Sequence, residues 1–314
     1  MRSAAIVINH NGGDDLPRCL DALAAQTVPV QVVLVDCLST DGTRAIAQQS
    51  PAGICGVALP DNRGYAGGAN AGFAMLSPEV ETIGFFNPDC SPGSDFFAVC
   101  NALLSSRPEV GGIAARLERP DGIHLDSCGQ VATPVLLHVR DRGYGQPKTP
   151  ELGRPATVLS ACGAGMVYRR NALAAAAVDG EVFAREFFAF WEDFDLGWRV
   201  SNAGYRVVYE PRAVAVHRRG ATAAPGGGRL IFRRSPALAA YILVNRWATW
   251  LHNLHGVDFL LRLPVLLPVD GLAVLAVVAR RPAVVPALVA ALPRLACAWR
   301  RRGSLRQRRV GELQ

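Results

Sequence analysis

Short apolar runs alternate with segments of helical periodicity from the start of the chain to about residue 117. Continuous apolar runs of this length predict strands buried on both faces. Such strands, separated by helices, predict an α/β fold with a mostly parallel sheet and helices on both of its faces. Ligands of these sheets bind beyond the carboxyl ends of the strands. The polar residues at or near those ends are Asn9, Asp36, Asp61 and Asp89.

The same patterns place the individual elements. Strands are expected at 3–8, 30–35, 55–59, 82–86, 111–117, 166–168 and 206–209, and helices at 43–49, 65–76, 96–105 and from Asn171. A further helix carries Leu16, Cys19, Leu20 and Leu23 at helical spacing. Residues 118–155 are rich in turn-forming residues, which predicts either a β-rich excursion or a flexible loop.

Composition narrows the class of protein. A chain of 314 residues can hold one large α/β domain and an appendage, and half of its residues are apolar, so a folded core is expected. The eight cysteines include no Cys-x-x-Cys pair and predict small buried residues rather than zinc ligands or disulfides. The start has no signal-peptide pattern, so we expect a cytoplasmic location.

The basic character of the chain lies in its tail. Residues 1–211 hold 16 lysines and arginines against 23 acids, a net charge of −7, whereas residues 212–314 hold 17 arginines against 3 acids, a net charge of +14. After Pro225-Gly226-Gly227-Gly228 the composition turns to Leu, Val, Ala, Pro and Arg. We therefore expect a main α/β domain at 1–225 and a basic, apolar helical extension at 226–314.

Two apolar stretches of the extension, 257–279 and 282–299, approach the length of a membrane span. They contain charged residues and several prolines, and a charge at the centre of a bilayer costs a few kcal/mol. Helices that lie in the membrane interface are therefore favoured over spanning helices, and a helical appendage packed on the main domain is the alternative. The arginines expected to face an anionic membrane surface are Arg300, Arg301, Arg302, Arg306, Arg308 and Arg309.

Residues 187–199 embed three carboxylates, Glu192, Asp193 and Asp195, among aromatic and aliphatic residues. An ionised carboxylate in apolar surroundings is costly unless a cation, a proton or a substrate hydroxyl partners it. That setting is typical of a general base. The alternative is an ordinary amphipathic helix whose N-terminus favours the acids.

Two further motifs combine small or polar residues with candidate ligands. The loop 61–72 is rich in glycine at a strand-to-helix junction, where a backbone can approach a diphosphate, although glycines also permit close helix packing. Because the loop lacks Gly-Lys-Ser/Thr, a P-loop is excluded. Asp89, which follows Asn87-Pro88, suits a hard divalent cation, with an ordinary turn as the alternative. His217 follows a strand and is either a second ligand or a surface histidine.

Five motifs follow one another along residues 3–220. They are Val7-Ile8-Asn9-His10-Asn11-Gly12, Val35-Asp36-Cys37-Leu38-Ser39-Thr40-Asp41-Gly42, Asn62-Arg63-Gly64-Tyr65-Ala66-Gly67-Gly68-Ala69-Asn70, Phe86-Asn87-Pro88-Asp89, and Trp191-Glu192-Asp193-Phe194-Asp195-Leu196 closing at His217. In this order they resemble the family 2 glycosyltransferases of the GT-A fold, and especially the rhamnosyltransferase-like branch of that family. The resemblance is specific for the fold and the reaction type but not for the sugar.

The resemblance implies an inverting transfer of a sugar from a nucleotide-diphosphate donor. Asp193 would deprotonate the acceptor hydroxyl with Glu192 beside it, and Trp191 would lie on the acceptor side. Asp89 would hold Mg²⁺ or Mn²⁺ on the diphosphate, with His217 completing the metal shell. The residues expected to bind the nucleotide sugar are Asn9, Asp36, Asn62, Gly67, Gly68, Asn70 and Asn87.

The resemblance leaves the substrates open. The leading hypothesis is transfer of L-rhamnose from a dTDP donor to a lipid-linked or cell-wall glycan at the inner face of the cell membrane. A UDP-hexose or UDP-galactofuranose donor is the alternative, and a non-catalytic nucleotide-sugar-binding protein is a third hypothesis. Nucleic-acid binding is not expected, because no aromatic stacking platform accompanies the arginines.

Overall fold

The structure, a computed structural model, describes residues 1–50, 52–219, 230–232 and 234–305. The strands are β1 (Arg2–Asn9), β2 (Val30–Asp36), β3 (Ile54–Ala58), β4 (Val80–Phe86), β5 (Cys90–Pro92), β6 (Val110–Glu118), β7 (Leu125–Ser127), β8 (Gln130–Ala132), β9 (Val139–Asp141), β10 (Ala156–Val158), β11 (Gly165–Arg169) and β12 (Arg206–His217). The helices are α1 (Asp15–Ala24), α2 (Arg44–Gln49), α3 (Gly64–Ala74), α4 (Phe96–Ser106), α5 (Arg170–Ala175), α6 (Glu192–Asn202), α7 (Pro236–Asn253), α8 (Gly256–Arg280), α9 (Val285–Ala291) and α10 (Pro293–Arg301).

Ten strands form one central sheet. Eight of them lie in the order β10-β12-β6-β11-β4-β1-β2-β3, with β5 beside β12 and β7 beside β6. Four of the seven neighbouring pairs in that order are parallel in the described part of the chain, whereas β11 runs antiparallel to both of its neighbours. The predicted α/β class is confirmed. The antiparallel strand was not predicted, because a buried strand shows the same apolar run in either direction.

The predicted elements of the first 117 residues are all present, with their ends shifted by at most a few residues. Strands β1, β2 and β4 are buried on both faces over most of their length, as expected from their continuous apolar runs, whereas β3 is partly buried. The turn-rich residues 118–155 contain β7, β8 and β9, so the β-rich alternative is right. The runs 206–209 and 213–216 form a single strand, β12, with a register shift between Glu210 and Val214.

Helix α7 is built into the main domain. Its Trp250 packs in one apolar cluster with Phe194 of α6. The Nδ1 atom of His252 lies 3.0 Å from Asp195 Oδ1, and its Nε2 atom lies 2.8 Å from Glu186 Oε1. The predicted boundary between residues 225 and 226 lies outside the described residues. These contacts agree with the alternative of a helical appendage packed on the main domain.

Two of the arginines expected at a membrane surface are turned into the protein. Arg301 is 9% exposed and ion-pairs with the buried Glu186. Arg302 donates hydrogen bonds to the carbonyls of Leu251 and Leu254 at the end of α7. The prediction was wrong for these two residues, because a buried acid and the unpaired carbonyls of a helix end recruit them. Of the other four, one is exposed, Arg300, and three lie outside the described residues, Arg306, Arg308 and Arg309.

Two C-terminal segments, Gly256–Arg280 and Pro282–Ser304, are long and apolar enough to cross a membrane. Only 17% of the most apolar window of each is buried inside the structure. Every exposed position of α8 from Val257 to Ala279 holds an apolar residue or glycine. The acid in the middle of this helix, Asp270, is turned inward onto Arg246. Helix α8 therefore presents a continuous apolar face to its surroundings, which soluble monomers rarely do.

The ion pair between Arg199 and Asp195 within α6 generates a stability prediction. Both side chains are at most 1% exposed, with 2.7 Å between Arg199 Nε and Asp195 Oδ2. Arg199→Met deprives a buried carboxylate of its guanidinium, so we expect the free energy of unfolding in urea to fall by about 3–5 kcal/mol. The matched control is Arg185→Met, which removes an exposed pair with Glu181 and should change stability little. Equal stability of the two variants would contradict the prediction.

Candidate active site

A strained turn precedes α6. Phe190 and Trp191 have φ values of +71° and +75°, which residues other than glycine rarely adopt. The turn is held from α7, because the side-chain amide of Asn245 donates to the carbonyls of Ala189 at 3.1 Å and Phe190 at 2.9 Å. Strained backbone conformations that are held in place by surrounding contacts occur mostly at functional sites of proteins. In this structure, two acids of the helical turn that follows, Glu192 and Asp193, line a cleft.

The three carboxylates of this helical turn have different environments. Burial disfavours ionisation of Asp195, but the charges of Arg199 and His252 hold the pKa of that carboxyl below its usual range. Burial raises the pKa of Asp193, and burial together with the charge of Asp193 raises the pKa of Glu192 to about 8. Asp195 is therefore a structural anion. Of the two acids that line the cleft, Glu192 and Asp193, the raised pKa of Glu192 favours its protonated form at neutral pH and leaves Asp193 as the candidate ionised carboxylate.

Asp193 is oriented by hydrogen bonds from two other elements and from its own helix. Its Oδ2 atom accepts from the side-chain amide of Gln130 at 2.9 Å and from the backbone N–H of Gly163 at 2.8 Å. Its Oδ1 atom accepts from the backbone N–H of Phe194 at 2.8 Å. Hydrogen bonds to an ionised carboxylate favour that form. They therefore oppose the effect of burial on the pKa of Asp193 and keep the group available as a proton acceptor.

A second carboxylate reaches the cleft from the turn between β4 and β5. The Nε2 atom of His217 lies 3.3 Å from Asp89 Oδ1, and its Nδ1 atom lies 2.7 Å from Asp126 Oδ2. Burial opposes protonation of His217, but its hydrogen bonds with Asp126 and Asp89 raise its pKa to about 9. Arg219 ion-pairs with Asp126 and, at 3.2 Å, with Asp141. Carboxylates and cations thus alternate at this end of the cleft.

Two cavities make up the cleft. The strand-end cavity, of about 490 Å³, lies at the carboxyl ends of β1, β2 and β4 and is lined by Asp89. The helix cavity, of about 400 Å³, lies at the start of α6 and is lined by Asp193. Asp89 and Asp193 therefore open into adjoining cavities. The residues that line both cavities are Tyr65, Asn87, Ala189 and Phe190.

The residues around Asp89 fit a divalent cation. A carboxylate oxygen and the nitrogen of a neutral imidazole are both metal ligands, so His217 would release a proton on binding a cation. Asp126 supplies the outer carboxylate that commonly orients a ligating histidine such as His217. Among the described residues, no group of three or more His, Cys, Asp or Glu side chains has the arrangement of a metal site. A Mg²⁺ or Mn²⁺ ion would therefore take its remaining ligands from phosphate oxygens and water, as is usual for Mg²⁺.

Three other predicted residues border the cleft. Asn62 and Asn87 line the strand-end cavity, and Trp191 lines the helix cavity. The Oδ1 atom of Asn62 accepts from the backbone N–H of Gly64 at 2.9 Å, and its Nδ2 atom lies 3.4 Å from His10 Nε2. Their polar and aromatic groups are thus within reach of a bound molecule.

Two residues predicted to touch the donor lie beneath the cleft instead. Asn9 and Asp36 are 0% exposed. The Nδ2 atom of Asn9 donates to Asp36 Oδ2 at 2.9 Å, and Asp36 Oδ1 accepts from Arg44 at 2.8 Å. Because these polar atoms are paired inside the protein, the structure favours a positioning role, and direct contact with a donor stays a prediction. The two residues shape the loop that follows β2.

The glycine-rich loop makes packing contacts over part of its length. A side chain at Gly68 would overlap Cys37 Sγ at 2.7 Å, so this glycine allows α3 to approach the sheet. Asn70 exchanges hydrogen bonds of 2.8 and 2.9 Å with the backbone of Phe183. Gly67 and Asn70 line a different cavity from the two that make up the cleft. The donor contacts of Gly67, Gly68 and Asn70 stay predictions.

Four residues of the site were not predicted from the sequence. Asp126 and Gln130 belong to the turn-rich segment, where polar residues follow no period that assigns them a direction. Arg234 lines the strand-end cavity, and its buried Nε atom has no hydrogen-bond partner in the part of the chain that the structure describes. Asn245 belongs to a segment interpreted as membrane-associated. The sequence does contain one indication of the role of Asn245, because this residue is polar and lies within an apolar helical run. A buried amide needs hydrogen-bond partners, so such a residue is expected to contact polar groups of another segment.

Comparison with solved structures identifies the fold. S. aureus TarS 1–349 in complex with UDP aligns with a TM-score of 0.54 at 17% identity, over 80% of this chain and 66% of the TarS chain. The mannosyltransferase PcManGT from Pyrobaculum calidifontis, in complex with GDP-Man and Mn²⁺, aligns with a TM-score of 0.52 at 19% identity, over 95% of this chain and 75% of that chain. The fold is that of the GT-A glycosyltransferases.

The family follows from the sequence. The family model of glycosyl transferase family 2 matches residues 4–175, and the chain therefore belongs to that family. A relative from Mycobacterium tuberculosis, N-acetylglucosaminyl-diphospho-decaprenol L-rhamnosyltransferase, is 28% identical over 238 residues, which are 68% of this chain and 75% of the relative. The predicted family and the predicted enzyme class, a glycosyltransferase, are confirmed.

Proposed function

We propose that the protein is an inverting glycosyltransferase that moves L-rhamnose from dTDP-rhamnose to a hydroxyl of a lipid-linked glycan. The observation that supports this most strongly is the placement of Asp193 and Asp89 in adjoining cavities. Displacement at an anomeric carbon requires a base on one face of the sugar and a stabilised leaving group on the other. A sugar bound across the two cavities meets both requirements.

Asp193 accepts the proton in this proposal. The acceptor oxygen attacks the anomeric carbon while its proton passes to the Asp193 carboxylate. The bond between the anomeric carbon and the phosphate oxygen breaks, and its electron pair leaves with the diphosphate. Attack opposite the leaving group inverts the anomeric centre, so no covalent intermediate is formed. Gln130 and Gly163 hold the carboxylate in position throughout.

The leaving diphosphate needs positive charge beside it. A Mg²⁺ or Mn²⁺ ion held by Asp89 and His217 would neutralise the negative charge of its oxygens. Arg234 supports the same role from the C-terminal segment, because it lines the strand-end cavity with a guanidinium that keeps donors for phosphate oxygens. Asn62 and Asn87 line the same cavity and are the remaining candidates for contacts with the nucleotide sugar.

The choice of substrates rests on similar proteins. The mycobacterial relative is named as an L-rhamnosyltransferase of N-acetylglucosaminyl-diphospho-decaprenol, which supports rhamnose as the sugar and a lipid-linked acceptor. The TarS structure contains UDP, which supports a UDP-linked sugar as the second candidate donor. A lipid-linked acceptor is confined to a bilayer, and the exposed apolar face of α8 supports a position at the inner face of the cell membrane.

Nucleotide release from a panel of donors tests the proposed donor. With a lipid-linked N-acetylglucosamine acceptor and Mg²⁺ or Mn²⁺, we expect release from dTDP-rhamnose and little from UDP-hexoses or UDP-galactofuranose. Chelation of the metal by EDTA should stop the reaction, and added Mn²⁺ should restore it. Activity with UDP donors and none with dTDP-rhamnose would show that the donor has been assigned wrongly.

The proposed base is tested by Asp193→Asn. We expect this variant to lose at least about 100-fold in transfer rate, because an amide cannot accept the proton. Donor binding, measured by calorimetry, should be retained. The matched variant is Glu192→Gln, whose amide resembles the protonated acid present at neutral pH, so its loss should be much smaller. Unchanged turnover in Asp193→Asn would remove this residue as the base.

The pH dependence of the transfer rate tests the hydrogen bond from Gln130 to Asp193. Its hydrogen bond lowers the pKa of Asp193, so Gln130→Leu should raise that pKa. A base must be deprotonated to act, and the acidic limb of the pH–rate profile should therefore move to higher pH, with activity recovered in alkaline buffer. Gln130→Glu, which adds a negative charge beside Asp193, should move the limb further in the same direction. A uniform loss of rate at every pH would contradict this role.

A further inference from the structure

A third cavity, of about 850 Å³, lies beside α3 and the start of α10, and we refer to it as the arginine cavity. It shares Phe188 with the strand-end cavity and no lining residue with the helix cavity. One acid, Glu181, lines it. The arginines that line it are Arg63, Arg170, Arg185 and Arg294. The proposed transfer reaction uses none of these cations.

The guanidinium groups keep hydrogen-bond donors for a ligand. Each guanidinium has five N–H groups. Among the described residues, Arg63 uses its Nε on Asp61 and Arg185 uses its Nε on Glu181, while both side chains remain 51% and 60% exposed. Arg294 donates one bond, to a backbone carbonyl. The excess of positive charge and the remaining donors suit a phosphate group.

The arginine cavity adjoins the apolar outer faces of the C-terminal helices. Arg294 is the second residue of α10, and every exposed position from 285 to 299 is apolar. Arg294 therefore connects the lining of the arginine cavity to helix α10, whose exposed positions are apolar.

We propose that the arginine cavity binds the phosphate group of an anionic phospholipid while the outer faces of α8, α9 and α10 lie in the bilayer interface. The inference rests on the proposed function, which places the protein at a membrane. Charge complementarity selects the occupant, because a lipid of this kind combines a negative headgroup with acyl chains for the neighbouring apolar surface. The arginines that line the cavity would then contact the anionic membrane surface. The sequence predicted that contact for Arg301 and Arg302, which are turned inward.

Vesicle flotation of the full chain tests the inference. Vesicles of phosphatidylcholine alone are compared with vesicles that also contain phosphatidylglycerol, at low and high salt. We expect tighter binding to the anionic vesicles, and the double variant Arg63→Gln/Arg185→Gln should lower that binding by on the order of tenfold. Binding to neutral vesicles, which depends on the apolar face, should not change. Unfolding midpoints equal to the wild type confirm that the variant is folded.

The matched control is Arg2→Gln/Arg107→Gln, which removes the same charge from two exposed ion pairs outside the cavity lining, with Glu79 and Glu109. It should bind both kinds of vesicle as the wild type does. Equal losses in the two double variants, or no preference for anionic vesicles, would overturn the proposal. Tight binding of inorganic phosphate without such a preference would also overturn it, since the ligand is then a soluble anion.

Flotation needs no turnover, so its outcome is separable from that of the transfer reaction. The Asp193→Asn variant should float as the wild type does, because its carboxylate lies in the helix cavity and lines no part of the arginine cavity. If flotation shows no anionic preference while the donor panel succeeds, only the lipid site is wrong. If the donor panel fails while flotation succeeds, only the substrate assignment is wrong.

Discussion

The burial of three carboxylates in the first turn of α6 is the constraint on which the rest of the structure depends. Buried ionised carboxylates are unfavourable without a partner. Asp195 is compensated by Arg199 and by His252 of α7. Glu192 stays protonated at neutral pH, and Asp193 opens to the cleft with hydrogen bonds from Gln130. His252 and Gln130 come from other segments, so the helix that supplies the candidate base also joins the main domain to the C-terminal helices.

The C-terminal segment thereby borders the candidate active site. Asn245 fixes the strained turn before α6, and Arg234 enters the strand-end cavity. Glu186 links His252 of α7 to Arg301 of α10. These inward contacts use the polar atoms of the segment, which leaves apolar side chains for its outer surface. One segment thus has an inner polar face that contacts the turn before α6 and an outer apolar face suited to a membrane.

The sequence was informative where a short motif sits at the end of a buried strand. Apolar runs identified β1, β2 and β4, and the acids after them led to Asp89, while the aromatic surround of Asp193 marked the start of α6. Long-range partners were not predictable, because neither period nor spacing indicates that Gln130 reaches Asp193 or that Asp126 reaches His217. Residue type also does not separate packing from binding, and only the structure showed that Gly68 lies against the sheet and that Arg301 points inward.

In the proposed mechanism, a metal-bound diphosphate at Asp89 and a base at Asp193 act on one sugar. The most direct test is a crystal structure of the protein with Mn²⁺ and dTDP, in which anomalous scattering locates the metal. We expect a manganese peak in bonding contact with the Asp89 carboxylate and the diphosphate, with the terminal phosphate directed towards Asp193. A manganese peak away from Asp89, or a nucleotide bound outside the cleft, would contradict it.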